Sequence, residues 1–208
     1  DYKNGSYCCK FNGTDQYISL GKNNLFDFGM DDFVLYFKVY ISNINSTDDK
    51  DDVLIYNNIA WATGSVGISR YVKVNKLALG LYGTTGFMSD NTFTSGINEI
   101  VIVRNGNTLE MSLNNIKTTF NNFNHLVNLN AGGDTIIGKA WHSSINTFFN
   151  GYIYSIKVLR NTTDLSLLDD ELDVFLDVFN ESFKLTNGDE TLDRVITNDK
   201  KVESHDVR

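Results

Sequence analysis

The chain has 208 residues, 41% of them hydrophobic and 21% charged. The charged share is close to the ordinary globular value of about 25%, which excludes disorder by composition. A net charge of −8 with no Lys/Arg cluster excludes nucleic acid as a partner, because such a surface repels phosphate backbones. No apolar run reaches the roughly 18 residues of a membrane span, so membrane insertion is not expected.

From Tyr7 to Arg160 the dominant pattern has period 2, the signature of strands with one buried face. Tyr7, Cys9 and Phe11 alternate with Cys8, Lys10 and Asn12. The turn Asn12-Gly13-Thr14-Asp15, a strong hairpin signal, leads to a short strand at residues 17–20. Cys8 and Cys9 are adjacent; a disulfide between them would distort the peptide, so two reduced thiols are expected. Residues 33–41 (FVLYFKVYI) lose strict alternation and suit a strand buried on both sides or central in a sheet. Residues 42–52 read as a polar loop whose acidic run, Asp48-Asp49-Lys50-Asp51-Asp52, is expected to be a solvated tip. A calcium loop is the alternative there, without EF-hand spacing or a closing bidentate Glu.

Further strands are predicted at residues 53–56, in the Gly-punctuated run 61–68, and in a hairpin over 71–82 turning at Asn75-Lys76. A second hairpin joins 98–103 to 108–113 through Arg104-Asn105-Gly106-Asn107. Residues 135–138 and 152–159 complete the set. Many short strands at this spacing indicate an all-β antiparallel two-sheet sandwich, and one such domain of roughly 150–200 residues buries a full core without dividing. On the last strand, the face carrying Ile156 and Val158 is expected to point inward. Gly151 at its start frees the backbone for a bulge or a close approach. After Arg160 the period changes: Leu165, Leu168, Leu172, Phe175, Leu176 and Phe179 recur at helical spacing. The expected organisation is therefore a sandwich over residues 1–163 and a helical segment with a polar tail over 164–208, acting as linker or docking arm.

Three stretches in order resemble one family. Residues 9–20 (CKFNGTDQYISL), the hairpin from Asn98 to Leu113, and Ile136-Ile137-Gly138 followed by Phe149-Asn150-Gly151-Tyr152-Ile153 resemble the opening strands, central hairpin and last core strands of concanavalin A-like, laminin-G-like domains. The resemblance covers about residues 7–170 and implies a concanavalin A-like jelly roll. It also raises a structural calcium, with Asp15 and the Asn12-Gly13 turn as possible ligands. Tyr154 stands where the family often carries an Asp, however, and Asn114-Asn115 replaces its Asp-Gly; no cofactor is required.

The chemistry of hydrolysis is not apparent. β-Glucanases on this fold use Glu-x-Asp-x-x-Glu, which holds two carboxylates about 5–5.5 Å apart; none of Glu99, Glu110, Glu171, Glu181, Glu190 and Glu203 has such partners. His125, His142 and His205 form no His-x-x-x-His pair, and Gly-x-Ser-x-Gly is absent. No enzyme activity is expected. Glycan sites combine an aromatic platform with amide and carboxylate groups. The loop Lys139-Ala140-Trp141-His142-Ser143-Ser144 is the first candidate, through Trp141 and His142. Trp61 and Tyr82 follow, with Asp90-Asn91 in the polar loop after Phe87; core packing or a plain turn is the alternative for each. The expectation is a carbohydrate or cell-surface binding module without catalysis. The abundance of Asn, Ile and Lys accompanies AT-rich genomes, including many phages. The expected setting is thus a virion or the cell exterior: a phage tail, fibre or capsid decoration, with a glycan and other subunits of an assembly as partners. A purely structural interaction module is the alternative. Asp1-Tyr2-Lys3-Asn4 shows neither an initiator Met nor a leader pattern, consistent with a fragment or processed product.

Overall fold

The computed structural model describes residues 2–3, 6–21, 25–44, 51–57, 66–81, 86–128, 134–142 and 145–168; of these, 2–3, 6–7, 141–142 and 145–146 are described by backbone alone. The strands are β1 (Tyr2–Lys3), β2 (Ser6–Tyr7), β3 (Cys9–Asn12), β4 (Ile18–Ser19), β5 (Asp27–Gly29), β6 (Phe33–Ile41), β7 (Asp52–Tyr56), β8 (Val66–Tyr71) and β9 (Lys76–Leu81). They continue with β10 (Phe87–Thr92), β11 (Gly96–Asn105), β12 (Thr108–Leu113), β13 (Ile116–Asn121), β14 (Val127–Asn128), β15 (Ile136–Ile137), β16 (Lys139–His142), β17 (Ile145–Phe148) and β18 (Asn150–Arg160). A 3-10 turn, Leu165–Leu168, follows.

Two six-stranded antiparallel sheets form the sandwich. The front sheet runs β13-β12-β11-β6-β18-β3 and the back sheet β10-β9-β8-β7-β15-β4. The period-2 pattern explains the arrangement: Phe33, Leu35, Phe37, Val39 and Ile41 of β6 enter the core, while Tyr36, Lys38 and Tyr40 lie half-buried on the other face. β6 is thus the central strand, between β11 and β18, and not a strand buried on both sides. From the back sheet, Leu54, Ile55, Val66, Ile68, Leu77, Leu79, Leu81 and Ile137 close the core. No helix among the described residues is long and apolar enough to cross a membrane.

The turns follow from residue chemistry. β11 and β12 join through Gly106-Asn107, with Gly106 at φ 55. β12 and β13 join through Asn114 and Asn115 at φ 52 and 66, the pair of positive values that a type I′ hairpin turn requires. The hairpin β8–β9 turns over 72–75 with Asn75 at φ 55, and its first strand begins at Val66.

Four expectations are corrected by the tertiary arrangement. The Asn12–Asp15 turn does not close a hairpin: β3 pairs with β18 in the front sheet and β4 with β15 in the back sheet, so the chain crosses between layers there. Parity along β18 changes at a bulge between Ile153 and Ser155, so Ile153 enters the core together with Ile156 and Val158. Asp52 is no solvated tip; it opens β7 and receives the buried Arg70 guanidinium, Nε to Oδ2 at 2.8 Å. Arg104 belongs to the strand and not to the turn: it is fully buried and donates to the carbonyls of Gly29, Gly106 and His125. The expected helical segment after Arg160 opens as a 3-10 turn over Leu165–Leu168, and the rest of it lies outside the described residues.

Gly151 meets its expectation. A Cβ built there would stand 2.3 Å from the Tyr40 carbonyl oxygen, so the strand approaches β6 too closely for any other residue. Cys8 and Cys9 are buried and are not joined as a disulfide.

Candidate functional site

An aromatic and charged cluster lies where β15 passes into the β16–β17 hairpin. Ile137 is buried in the core, and Gly138 follows at φ +84. A Cβ on Gly138 would lie 2.5 Å from Phe11 Cε1, so the chain can turn outward here only because the Phe11 ring packs against bare backbone. Gly138 N–H donates to the Leu54 carbonyl at 3.0 Å, and Phe149 N–H donates to the Gly138 carbonyl at 2.9 Å. Phe149 is fully buried and meets Phe11 edge-to-face at 5.8 Å between centroids. The hairpin base is therefore pinned to both sheets.

Lys139 and Phe148 form the first pair of that hairpin. Lys139 Nζ lies 4.4 Å from the centre of the Tyr17 ring and 5.6 Å from that of Phe148. Tyr17 is brought there by β4, whose Ile18 pairs with Ile137. All three side chains are half-buried, so each ring keeps exposed surface. Gln16, next to Tyr17, has its amide oxygen buried without a donor.

At the neighbouring turn, the expected calcium ligands Asn12 and Asp15 bond to each other and to the turn backbone. Asn12 Oδ1 accepts from the backbone N–H of Thr14 and Asp15 at 2.9 and 3.2 Å, while Asn12 Nδ2 donates to Asp15 Oδ1 at 2.7 Å. That Asn oxygen faces amide hydrogens. Among the described residues no three or more His, Cys, Asp or Glu side chains converge as metal ligands.

The sequence candidates fall in different places. Trp141 and His142 sit on strand β16, paired with Asn146 and Ile145, and not in a loop; their side chains are outside the description. Trp61 and Tyr82 lie outside the described residues. The residues flanking their segments, Val66 and Leu81, pair at one end of the back sheet. The ladder places Ile137 against Ile55 and the Gly138 N–H on Leu54, so β16 departs toward the opposite end, where Asp52 pairs with Arg70. Asp90 and Asn91 lie on edge strand β10 and not in a loop. Asn91 Nδ2 donates to the Leu113 carbonyl at 2.8 Å, and Asp90 N–H to Thr118 Oγ1 at 2.6 Å. These bonds clasp the two sheets, so the Asn91 amide nitrogen is engaged in the fold, while Asp90 is exposed. Tyr17 and Phe148 were not singled out by the sequence, because nothing local places residue 17 beside residue 139.

Glu99 and Glu110 face outward on the front sheet, each beside a lysine: Lys38 at 3.6 Å and Lys117 at 2.9 Å. Glu110 pairs with Val103, four residues along β11 from Glu99. That separates them by roughly 13 Å of strand, beyond the spacing of about 5–5.5 Å or 6.5–9.5 Å that glycoside hydrolysis uses.

No family model matches the sequence, and no curated protein matches it. Among solved structures, the fold is similar to domains LG4-5 of the mouse laminin alpha1 chain, with a TM-score of 0.52 and 11% identity over 73% of this chain. The match spans 40% of that laminin chain. It is similar also to the CBM40 of a Ruminococcus gnavus IT-sialidase bound to alpha2,3 sialyllactose, with a TM-score of 0.52 and 11% identity over 74% of this chain and 92% of that one. The sandwich is thus a concanavalin A-like, laminin-G-like jelly roll. At this identity the likeness concerns the fold alone.

Proposed function

We propose that this domain is a non-catalytic carbohydrate-binding module acting outside the cell, with the base of the β16–β17 hairpin and Tyr17 as its binding surface. The observation that carries the reading is the Tyr17–Lys139–Phe148 cluster, two half-exposed rings and a cation held on a pinned hairpin. Rings of this kind stack on the apolar faces of sugars, and neighbouring polar groups meet the hydroxyls. The lysine-paired, widely separated Glu99 and Glu110 support a binding role rather than hydrolysis. The narrower setting, host attachment by a phage tail, fibre or capsid decoration, is supported by the composition rich in Asn, Ile and Lys.

The test is a glycan array probed with the full chain, beside Tyr17→Ala and Trp141→Ala. Specific binding by the unaltered chain and a loss of about tenfold in Tyr17→Ala are expected. Absence of binding to any glycan or to host cells overturns the reading, and unchanged binding by Tyr17→Ala removes the hairpin base as its site.

A second reading, an interaction module within a larger assembly, is favoured by a different observation. Ile97 on the outer face of the front sheet, and Leu165 and Leu167 on the 3-10 turn beside β18, are each about two-fifths exposed. Removing residues 164–208 and measuring the mass in solution by light scattering separates the two: a fall from oligomer to monomer supports assembly.

A further inference from the structure

The state of Lys139 narrows the class of ligand, and the narrowing rests on the hairpin base being a glycan site. Six other cations of the sandwich have oxygen partners, while Lys10 and Lys76 lie against no ring among the described residues. Lys38, Lys117 and Arg70 face Glu99, Glu110 and Asp52; Arg104, Arg160 and Lys157 donate to backbone carbonyls of Gly29, Asp27 and Leu168. Lys139 meets two ring faces and, among the described residues, donates to no oxygen. An ammonium carries three donors, and ring faces satisfy its charge only weakly compared with an anion. The rings nevertheless restrict where the ammonium can be. A positioned cation with unspent donors, flanked by aromatic surface on an otherwise acidic protein, is suited to one kind of neighbour.

From this geometry we infer that the site selects glycans carrying a negatively charged substituent, with Lys139 as charge partner and Tyr17 and Phe148 as the surfaces beside it. The net charge of −8 makes such selectivity local. Without a dedicated cation an anionic glycan is repelled by this chain, and with one its binding becomes sensitive to salt. Carboxylate and sulfate share this chemistry, because a lysine is a point charge that does not distinguish their shapes.

The experiment is titration of the full chain with matched oligosaccharides: one bearing a carboxylate, the same sugar with that carboxylate reduced to an alcohol, a sulfated form and a neutral form. The charged glycans are expected to bind about fivefold or more tightly than their neutral counterparts, an advantage that raised salt removes. Lys139→Gln is expected to abolish the advantage while leaving neutral binding intact, and Lys139→Arg to retain it. The carboxylated and sulfated arms show which anion is preferred. Equal binding of charged and neutral forms, or a charge preference that survives in Lys139→Gln, overturns the inference and leaves the glycan reading standing. Failure to bind any of the sugars overturns the glycan reading itself.

Discussion

Replacing Gly138 by Ala tests whether the hairpin that carries Lys139 is held by a close approach of backbone to ring. Two costs add. At φ +84 an L-residue is strained by about 1–2 kcal/mol. The new Cβ would also lie 2.5 and 2.6 Å from two carbons of Phe11, a ring only 1% exposed and packed edge-to-face on Phe149, so it has nowhere to turn. Overpacking of this kind costs about 1–3 kcal/mol. The sum, about 2–5 kcal/mol, corresponds to a melting temperature lower by roughly 10 °C for a domain of this size. Gly106 separates the two costs, since it has φ +55 with nothing within 4 Å of a built Cβ. Gly106→Ala should cost about 1 kcal/mol, from the dihedral angle alone. In a Phe11→Leu background, Gly138→Ala should recover about 1–2 kcal/mol of coupling. Urea denaturation of the unaltered chain and these four variants, read as midpoints at constant slope, supplies the numbers. If Gly138→Ala costs no more than Gly106→Ala, or if Phe11→Leu leaves its cost unchanged, the packing explanation is wrong.

Three further outcomes follow from the packing and burial of other residues. Gly151→Ala, whose Cβ would stand 2.3 Å from the Tyr40 carbonyl, should cost about 3 kcal/mol or more, whereas Gly80→Ala, with its nearest atom at 3.8 Å, should stay within about 0.5 kcal/mol; thermal melts of both decide. Arg104→Met leaves the partly buried carbonyls of Gly29, Gly106 and His125 without their donor and should lose about 2–3 kcal/mol in urea denaturation. Burial raises the Asp51 carboxyl from 3.8 to about 6, with the Asp52 charge adding and the Val72 N–H, Lys73 and Arg70 opposing. The folded state therefore keeps a proton that the unfolded state has lost, so this contribution is fully present below about pH 4 and disappears as pH rises through about 6. Because the group is partly exposed, Asp51→Asn should stabilise the protein by only about 1 kcal/mol at neutral pH and by little at about pH 4. Melting curves that match the unaltered chain at both pH values would contradict this.

Much of the fold was legible because its determinants are local. The alternation in residues 108–113 gives the buried Leu109, Met111 and Leu113 directly. The pair Asn114-Asn115 tolerates two successive positive φ angles as few other residues do, and the expected close approach at Gly151 is present. The misreadings share a cause. Arg104, Asp52, Asp90 and Asn91 are polar and were taken for loop residues, yet each sits on a strand; Arg104 and Asp52 are buried there because a specific partner receives them. Such a partner lies far away in sequence and leaves no local trace. The parity change in β18 is similar: one bulge residue brings Ile153 to the core side, and nothing in the side-chain pattern marks where the extra residue falls.

The sequence by itself determined a sandwich of antiparallel strands and the hairpins β8–β9 and β11–β12, since strand period and turn preference act over two to five neighbouring residues. Only the tertiary structure decided that the Asn12 turn crosses between sheets, that β4 lies beside β15, and that Tyr17 therefore comes to rest against Lys139. Strand order is a property of the whole core, settled by which apolar faces can be buried together. A site assembled across that order belongs to no single stretch of chain.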